Sequence, residues 1–206
     1  MAYQSFFSLV RGDLSATVER AGRSSLNFWC RAVAKLFFSS QVQAVFWFRV
    51  SSTLARTPLR PLAFLVRFVN FTATGADIHP DAQIGPRFAL MHSSGVVIGS
   101  GARVGADCRA THGVTLGEPG RGVDRSRLQF PSVGRTVTLG AHAVVLGGCT
   151  IGEGTIVGAN SVIISDVPAN VIVAGSPARV VKELPPWQDD PRRNVGTGLT
   201  SVRRGE

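Results

Sequence analysis

The sequence is poor in lysine, in cysteine and in long apolar runs, and each shortage argues against a class of protein. Lysine occurs only at positions 35 and 182, so arginine carries almost all of the formal net charge of +9. The three cysteines form neither a C-x-x-C pair nor a zinc-type spacing, so we expect no metal and a reducing compartment. Because no uninterrupted apolar run reaches about 18 residues, no transmembrane helix is predicted.

The basic charge and the start of the chain bear on its partners and its location. The first ten residues carry no Lys or Arg and no signal-like cleavage site follows, so we expect a cytoplasmic protein. Nucleic-acid binding favours clustered arginines interleaved with aromatic residues, whereas the arginines after residue 78 are scattered. We therefore expect no nucleic-acid partner. A phosphorylated small ligand or an anionic membrane fits the positive charge better.

A period of six residues dominates the chain from Ile78 to Val167. Each hexad begins with an aliphatic residue, usually followed by glycine, and a small or slim residue stands four places after it. A helix needs a period of 3.6 and a strand a period of 2, whereas six fits a short strand and a turn, repeated. This pattern is typical of a parallel β-helix built from hexapeptide repeats. The leading residues are Ile78, Ile84, Leu90, Ile98, Val104, Ala110, Leu116, Val133, Leu139, Val145, Ile151, Val157 and Ile163.

Residues 1–75 lack this period and are predicted to form a helical segment. Apolar residues recur at helical spacing in Leu26–Phe38, Val42–Leu54 and Leu59–Phe71. The segment is rich in aromatic residues and carries nine basic residues against two acidic ones. We expect either a cap that packs on the repeat or on a neighbouring subunit, or a basic amphipathic surface that makes peripheral contact with anionic lipid at the inner face of the membrane.

The β-helix domain is expected at residues 76–184. Its period fails over residues 118–132, and insertions in repeat proteins project as loops from one face, often the binding face. Cys108 and Cys149 fall at slim positions of the repeat, where we expect them to act as small apolar filler of the core. Residues 185–206 are predicted to be a flexible C-terminal tail.

Four segments resemble the serine acetyltransferase branch of the left-handed β-helix acyltransferases. They are residues 75–80 (GADIHP), 92–99 (HSSGVVIG), 113–117 (GVTLG) and 173–180 (VAGSPARV). The resemblance implies a mainly β, left-handed parallel β-helix that transfers an acetyl group from acetyl-CoA to a hydroxyl group, without a metal. It also implies a homotrimer, or a multiple of it, with acetyl-CoA and the acceptor bound in clefts between neighbouring subunits.

The histidines divide into two pairs. In the family that this chain resembles, the histidine of H-x-x-G-V-V-I-G, here His92, is the general base that takes the proton of the attacking hydroxyl. His112 stands two places after its hexad lead, as His92 does, so we expect the two on the same edge of adjacent coils, with backbones roughly 5 Å apart. The family's serine enzymes have Gln at position 112, and His112 is expected either to orient His92 or to contact the acceptor. His79 and His142 are expected to be turn or surface residues.

The resemblance also indicates how the donor is bound. The small residues Ala141 and Ala159 are expected to let the pantetheine arm lie against the backbone. A backbone N–H at Gly117 or Glu118 is expected to stabilise the oxyanion of the thioester. Arg179, in the G-S-P-A-R segment, is expected to meet the phosphates of CoA.

Three positions depart from the serine enzymes of that family and bear on the acceptor. Met91 replaces an Asp, Gln129 replaces an Arg, and Phe130 replaces a His. The first two changes remove the charged partners of a zwitterion, and Phe130 offers an apolar face of the kind that packs on sugar rings. We therefore expect a hydroxylated acceptor that is a polysaccharide or glycolipid precursor, as in acetyltransferases from polysaccharide clusters of the colanic-acid type. The alternatives are L-serine O-acetylation in cysteine biosynthesis, transfer of a longer acyl group, and an inactive scaffold repeat protein.

Overall fold

A computed structural model of the chain describes residues 5–18, 33–118, 120 and 129–186. Residues 33–38 are helical, and three further helices are complete within the described ranges: α1 (Phe6–Val18), α2 (Ser40–Leu54) and α3 (Arg60–Thr74). The strands are β1 (Asp77–Ile78), β2 (Gln83–Ile84), β3 (Ala89–Leu90), β4 (Val97–Ile98), β5 (Arg103–Val104), β6 (Arg109–Ala110), β7 (Thr115–Gly117), β8 (Ser132–Val133), β9 (Thr138–Leu139), β10 (Val144–Leu146), β11 (Thr150–Ile151), β12 (Ile156–Val157), β13 (Val162–Ile163), β14 (Val171–Gly175) and β15 (Ala178–Glu183).

The strands stack into three parallel sheets that form the faces of a prism. Face 1 has the order β1-β4-β7-β10-β13, face 2 the order β2-β5-β8-β11, and face 3 the order β3-β6-β9-β12-β14, to which β15 adds antiparallel. Each strand therefore pairs with the strand one coil further along the chain, as Ile78 does with Ile98. The expected left-handed parallel β-helix with an N-terminal helical segment is confirmed.

The hexad pattern builds the core of the prism. Every leading aliphatic residue points inward and is buried, as Leu116 and Leu139 illustrate with exposed fractions of 1% and 0%. The slim residues at the turns fill the remaining space, and both Cys108 and Cys149 are buried there, which confirms their expected place. The Cys108 thiol donates to the Gly134 carbonyl at 3.0 Å. Burial raises the pKa of Cys108 to about 11, so its thiol is not a nucleophile at neutral pH.

Helices cover the first end of the prism. The helices predicted over Val42–Leu54 and Leu59–Phe71 are confirmed. A third helix was predicted over Leu26–Phe38, and residues 26–32 of it lie outside the described ranges. Helix α1 is not among the predicted helices, although its apolar residues recur at helical spacing. Helix α2 buries its apolar side against the first coils. Helix α3 ends at Gly75, whose φ of 73° is the left-handed conformation common at helix ends.

The β14–β15 hairpin lies at the far end of the prism and pairs along β12. Residues 187–206 of the predicted tail and residues 119 and 121–128 of the predicted loop lie outside the described part of the chain. Within the described ranges, no helix has both the length and the apolar character that crossing a bilayer requires.

Candidate active site

Two corners of the prism carry the candidate site residues. The histidine corner joins face 3 to face 1, and the loop corner joins face 1 to face 2. The histidine corner consists of residues 91–96, 111–114, 140–143 and 158–161, and the described part of the loop corner consists of residues 79–82, 99–102, 118, 120, 129–131 and 147–149.

Three imidazole rings form a ladder along the histidine corner. The ring centroids of His92 and His112 are 5.8 Å apart with an interplanar angle of 68°. Those of His112 and His142 are 5.0 Å apart at 88°. The expected stacking of His92 on His112 is confirmed, because Leu90 pairs with Ala110 in register. The outer rings, His92 and His142, are exposed, and His112 between them is partly buried.

His142 is an exposed turn residue, as expected, but its contact with His112 was not predicted. It stands three places after its hexad lead, Leu139, whereas His112 stands two places after its own. The His142 ring reaches His112 despite this offset of one residue. His142 has a left-handed backbone (φ 56°) and donates its N–H to the His112 carbonyl at 2.9 Å. Its ring lies on Gly113, where an added Cβ would collide with the imidazole. The glycine after His112 was the signal that a side chain packs there.

His79 lies on the loop corner of the first coil, away from the ladder. Its ring contacts Phe64 edge-on at 5.6 Å, and its Nδ1 accepts the Asp81 N–H at 3.2 Å. Burial lowers the pKa of His79, with the Arg67 guanidinium adding to the effect. These contacts agree with the expected structural role in a turn.

The candidate donor-binding residues continue the histidine corner into the later coils. Ala141 adjoins His142, and Ala159 follows one coil further, where the Asn160 N–H donates to the Ala141 carbonyl at 2.8 Å. Arg179 is exposed and pairs with Ala174 at the end of face 3. The base and the small residues predicted to receive the pantetheine arm therefore lie in one line down the prism.

Met91 lies at the other end of this line. Its side chain is 38% exposed and adjoins His92. It therefore presents an apolar surface next to the candidate base. Within the described residues, no group of three His, Cys, Asp or Glu side chains is placed to hold a metal ion.

Gln129 and Phe130 lie at the loop corner. Within one subunit they are therefore on a different corner from His92, His112 and His142. An added Cβ at Gly99 or Gly101 would collide with the Phe130 ring, and one at Gly148 would collide with the Gln129 side chain. Both side chains therefore pack against the backbone of their own chain. Gly117 ends β7 beside this corner, and Glu118 follows it, exposed.

The packing of Phe130 on its own chain was not predicted. The residue is partly buried, and one face of its ring covers the glycine turn between β4 and β5. A ring held in this way anchors the end of the loop. The face of the ring that lies on this turn is not open to an acceptor.

Comparison with known proteins agrees with the fold. Residues 130–165 match the model of the bacterial transferase hexapeptide family (six repeats). The chain is 38% identical over 182 residues to the serine acetyltransferase of Mycobacterium tuberculosis, a match that covers 88% of this chain and 76% of that protein. This chain belongs to the serine acetyltransferase family. It is an acyltransferase with the fold that the hexads predict.

Solved structures of serine acetyltransferases share the fold of this chain. The structure of soybean serine acetyltransferase complexed with serine superposes with a TM-score of 0.75 at 35% identity, over 86% of this chain and 70% of the soybean chain. That of the Brucella abortus enzyme in complex with coenzyme A gives 0.76 at 29%, over 87% and 68%. The chain spans 76% of the mycobacterial protein but only 42% of two other relatives with this name.

These relatives overturn the expected acceptor. The chain was expected to acetylate a polysaccharide or glycolipid precursor, in the manner of polysaccharide-cluster enzymes. That prediction is wrong, because the relatives with 33–39% identity are serine acetyltransferases. The changes at Met91, Gln129 and Phe130 are differences within the serine acetyltransferase family and do not mark a different branch.

Proposed function

We propose that this chain is an acetyl-CoA-dependent L-serine O-acetyltransferase with His92 as its general base. The observation that carries the proposal is the exposed His92 imidazole, in its full H-x-x-G-V-V-I-G motif, on the histidine corner of a serine acetyltransferase fold. An exposed imidazole is open to an acceptor, and a neutral one accepts a proton near pH 7. Among the alternatives, an inactive scaffold would have no use for a base at this corner.

The proposed reaction is direct acyl transfer between two bound substrates. His92 accepts the proton of the serine hydroxyl as the oxygen attacks the thioester carbon of acetyl-CoA. A backbone N–H at Gly117 or Glu118 donates to the oxyanion that develops on that carbon. The C–S bond then breaks, and the His92 imidazolium returns its proton to the sulfur. The products are O-acetyl-L-serine and the free thiol of CoA.

We propose that the donor lies along the histidine corner below the ladder. Ala141 and Ala159 have side chains small enough to let a pantetheine arm approach the backbone, and both lie in the line that starts at His92. Arg179 is exposed at the end of this line, where a guanidinium suits a phosphate. In this proposal the thioester lies near the base and the phosphates lie at the far end.

We propose that the active form is a homotrimer or a multiple of it. The candidate residues are divided between two corners of one chain, with His92 and Ala141 on one and Glu118 and Gln129 on the other. Three-fold symmetry brings the histidine corner of each subunit to the loop corner of the next, because a cyclic interface joins two different surfaces. Each interface then completes one site.

We also propose peripheral contact between helix α3 and an anionic membrane. Leu62, Leu65 and Phe68 on this helix have exposed fractions of 43%, 56% and 65%. Of the nearby arginines, Arg60 pairs with Asp81 and Arg67 with Asp77, so the attraction depends on the net charge of +9. An apolar face on a basic protein suits the interface of an anionic bilayer.

The test is the release of free thiol from acetyl-CoA with L-serine as acceptor. We expect kcat/KM for L-serine above about 10⁴ M⁻¹s⁻¹, within the ordinary range of enzymes. Glycine lacks the hydroxyl and therefore measures background hydrolysis of acetyl-CoA. D-serine tests whether the site discriminates between the two enantiomers of serine. Thiol release with L-serine no faster than with glycine would contradict the proposed function. A panel of longer acyl-CoA thioesters with L-serine tests the longer acyl alternative.

A further inference from the structure

The proposed reaction uses one imidazole of the ladder directly, and the other two need an explanation. His112 lies between His92 and His142, and its ring makes an edge-to-face contact with each. Such contacts favour one relative orientation of the two rings over others. The orientation of His92 is thus linked, through His112, to a residue two coils away.

His142 is fixed at the end of the ladder by its backbone as well as by its ring. Its N–H bonds the His112 carbonyl, and its left-handed φ of 56° directs the side chain back over the preceding coil. The missing side chain of Gly113 leaves the space that the ring occupies. Asn160 takes the equivalent turn position one coil further with the same φ, so the turn itself does not require histidine.

We infer that His142 is a positioning residue for acyl transfer: it holds the His112 ring edge-on to His92, and His112 in turn holds His92 in line with the acceptor hydroxyl. This inference rests on the proposed function. A base acts only within hydrogen-bonding distance of the proton that it takes. A misplacement of about 1 Å can lower the rate about a hundredfold. Because the His92 side chain is exposed, ring contacts are a direct means of restricting its rotamers.

The first comparison removes the ring and keeps the turn. His142→Asn retains a side chain that suits the left-handed conformation, as Asn160 shows, but it loses the aromatic contact. We expect kcat to fall about fivefold, the scale of one edge-to-face contact, with KM for L-serine and for acetyl-CoA unchanged. His142→Phe keeps a ring in contact with His112 and is expected to recover most of the loss. His79→Asn, on the loop corner, is the matched control and should leave both constants unchanged.

The second comparison asks whether the effect passes through His112. In a His112→Gln background, His142→Asn is expected to lower kcat by less than about twofold further, because the link to His92 is already broken. A full fivefold loss in that background would overturn the inference. So would a kcat for His142→Asn equal to that of the unaltered enzyme, or a loss confined to KM for acetyl-CoA, which would assign His142 to donor binding.

A spectroscopic measurement separates this inference from the proposed function. The chain has four histidines, so the imidazole Cε1–Hε1 spectrum of labelled protein contains four signals, which single variants assign. We expect His142→Asn to shift the His92 signal and His142→Phe to shift it less. An unchanged His92 signal in His142→Asn would overturn the inference, whatever the acceptor. A lack of thiol release by the unaltered enzyme with L-serine would contradict the proposed function alone.

Discussion

The Arg49 guanidinium is buried against the Asp13 carboxylate, with Nε 2.8 Å from Oδ2, and this ion pair joins α2 to α1. Arg49 also donates to the Ile84 and Gly85 carbonyls, each at 2.6 Å. The Phe88 N–H donates to Asp13 Oδ1 at 3.0 Å. Burial raises the pKa of Asp13, while Arg49 and the Phe88 N–H oppose that rise. One network therefore fastens both helices to the first coil of the β-helix.

We expect Asp13→Ala to lower the free energy of unfolding by about 3–5 kcal/mol, because it leaves a buried guanidinium without its counter-charge. Urea denaturation measures the change. The double variant Asp13→Leu/Arg49→Met is expected to recover most of the loss, since apolar side chains of similar volume replace a buried ion pair without a large penalty. Asp81→Ala breaks the exposed pair with Arg60 and serves as the control, with little expected change. Equal effects of Asp13→Ala and Asp81→Ala would contradict the structural role of the network.

The hexads predicted most of the prism because each coil depends only on residues close together in the sequence. A strand of two residues, a turn and a buried aliphatic side chain repeat in each coil, so Ile98 or Val145 finds the same surroundings wherever it occurs. The stacking of His92 on His112 followed from the same period. The partners of Asp13 and Arg49 were not predicted, because they lie 36 residues apart and no period relates them.

The acceptor was misjudged because three substituted residues were interpreted as a change of substrate, whereas the relatives are serine acetyltransferases. Phe130 looked like an apolar surface for a sugar, but its ring covers Gly99 and Gly101 of its own chain. His142 is the exposed turn residue that was expected, but its left-handed turn also brings its ring to His112, which was not predicted. In both cases glycines supplied the space, and only the folded coils show which side chain enters it.

We expect His92→Ala to lower kcat by about two to four orders of magnitude, the usual contribution of a general base. The side chain is exposed on its own chain, so the fold should not change, and we expect the trimer still to form. Thiol release under saturating substrates gives kcat, and circular dichroism with light scattering checks the fold and assembly. Turnover within threefold of the unaltered enzyme would remove His92 from the mechanism.

We expect Met91→Asp to improve the use of L-serine. The residue is exposed beside His92, so a carboxylate at this position would offer a charge-assisted partner to the serine ammonium group. Such a contact contributes about 1.5–3 kcal/mol, and the KM for L-serine should therefore fall at least about tenfold. Met91→Asn is the neutral control of the same shape and should not produce this gain. An unchanged or higher KM in Met91→Asp would show that the ammonium group binds elsewhere.

We expect weak binding of the full-length protein to anionic vesicles, and weaker binding as salt rises, because surface charges are screened. Leu65→Asp/Phe68→Asp places charges on the exposed face of α3 and should abolish co-sedimentation. Val181→Asp alters an exposed apolar residue at the far end of the prism and should have no effect. Equal binding by the α3 double variant would exclude this face as the contact.

The proposed division of the site between two corners predicts complementation between inactive variants. His92→Ala disables the histidine corner, and Glu118→Pro removes a backbone N–H at the loop corner, with Glu118→Ala as the control that keeps it. Each variant alone should form an inactive trimer, His92→Ala for lack of the base and Glu118→Pro with the Glu118 N–H taken as the oxyanion donor. In trimers reassembled from an equal mixture, about one site in four should combine two unaltered corners, because each corner of an interface comes from a different subunit.

The expected activity of this mixture is therefore about a quarter of that of the unaltered enzyme, measured as thiol release after joint refolding. A mixture of His92→Ala with His92→Gln is the matched control, since both changes remove the base at the histidine corner. Every subunit of that mixture lacks the His92 imidazole, so no site should recover activity. No recovery in the His92→Ala/Glu118→Pro mixture, although light scattering shows trimers of both variants, would place the whole site within one subunit.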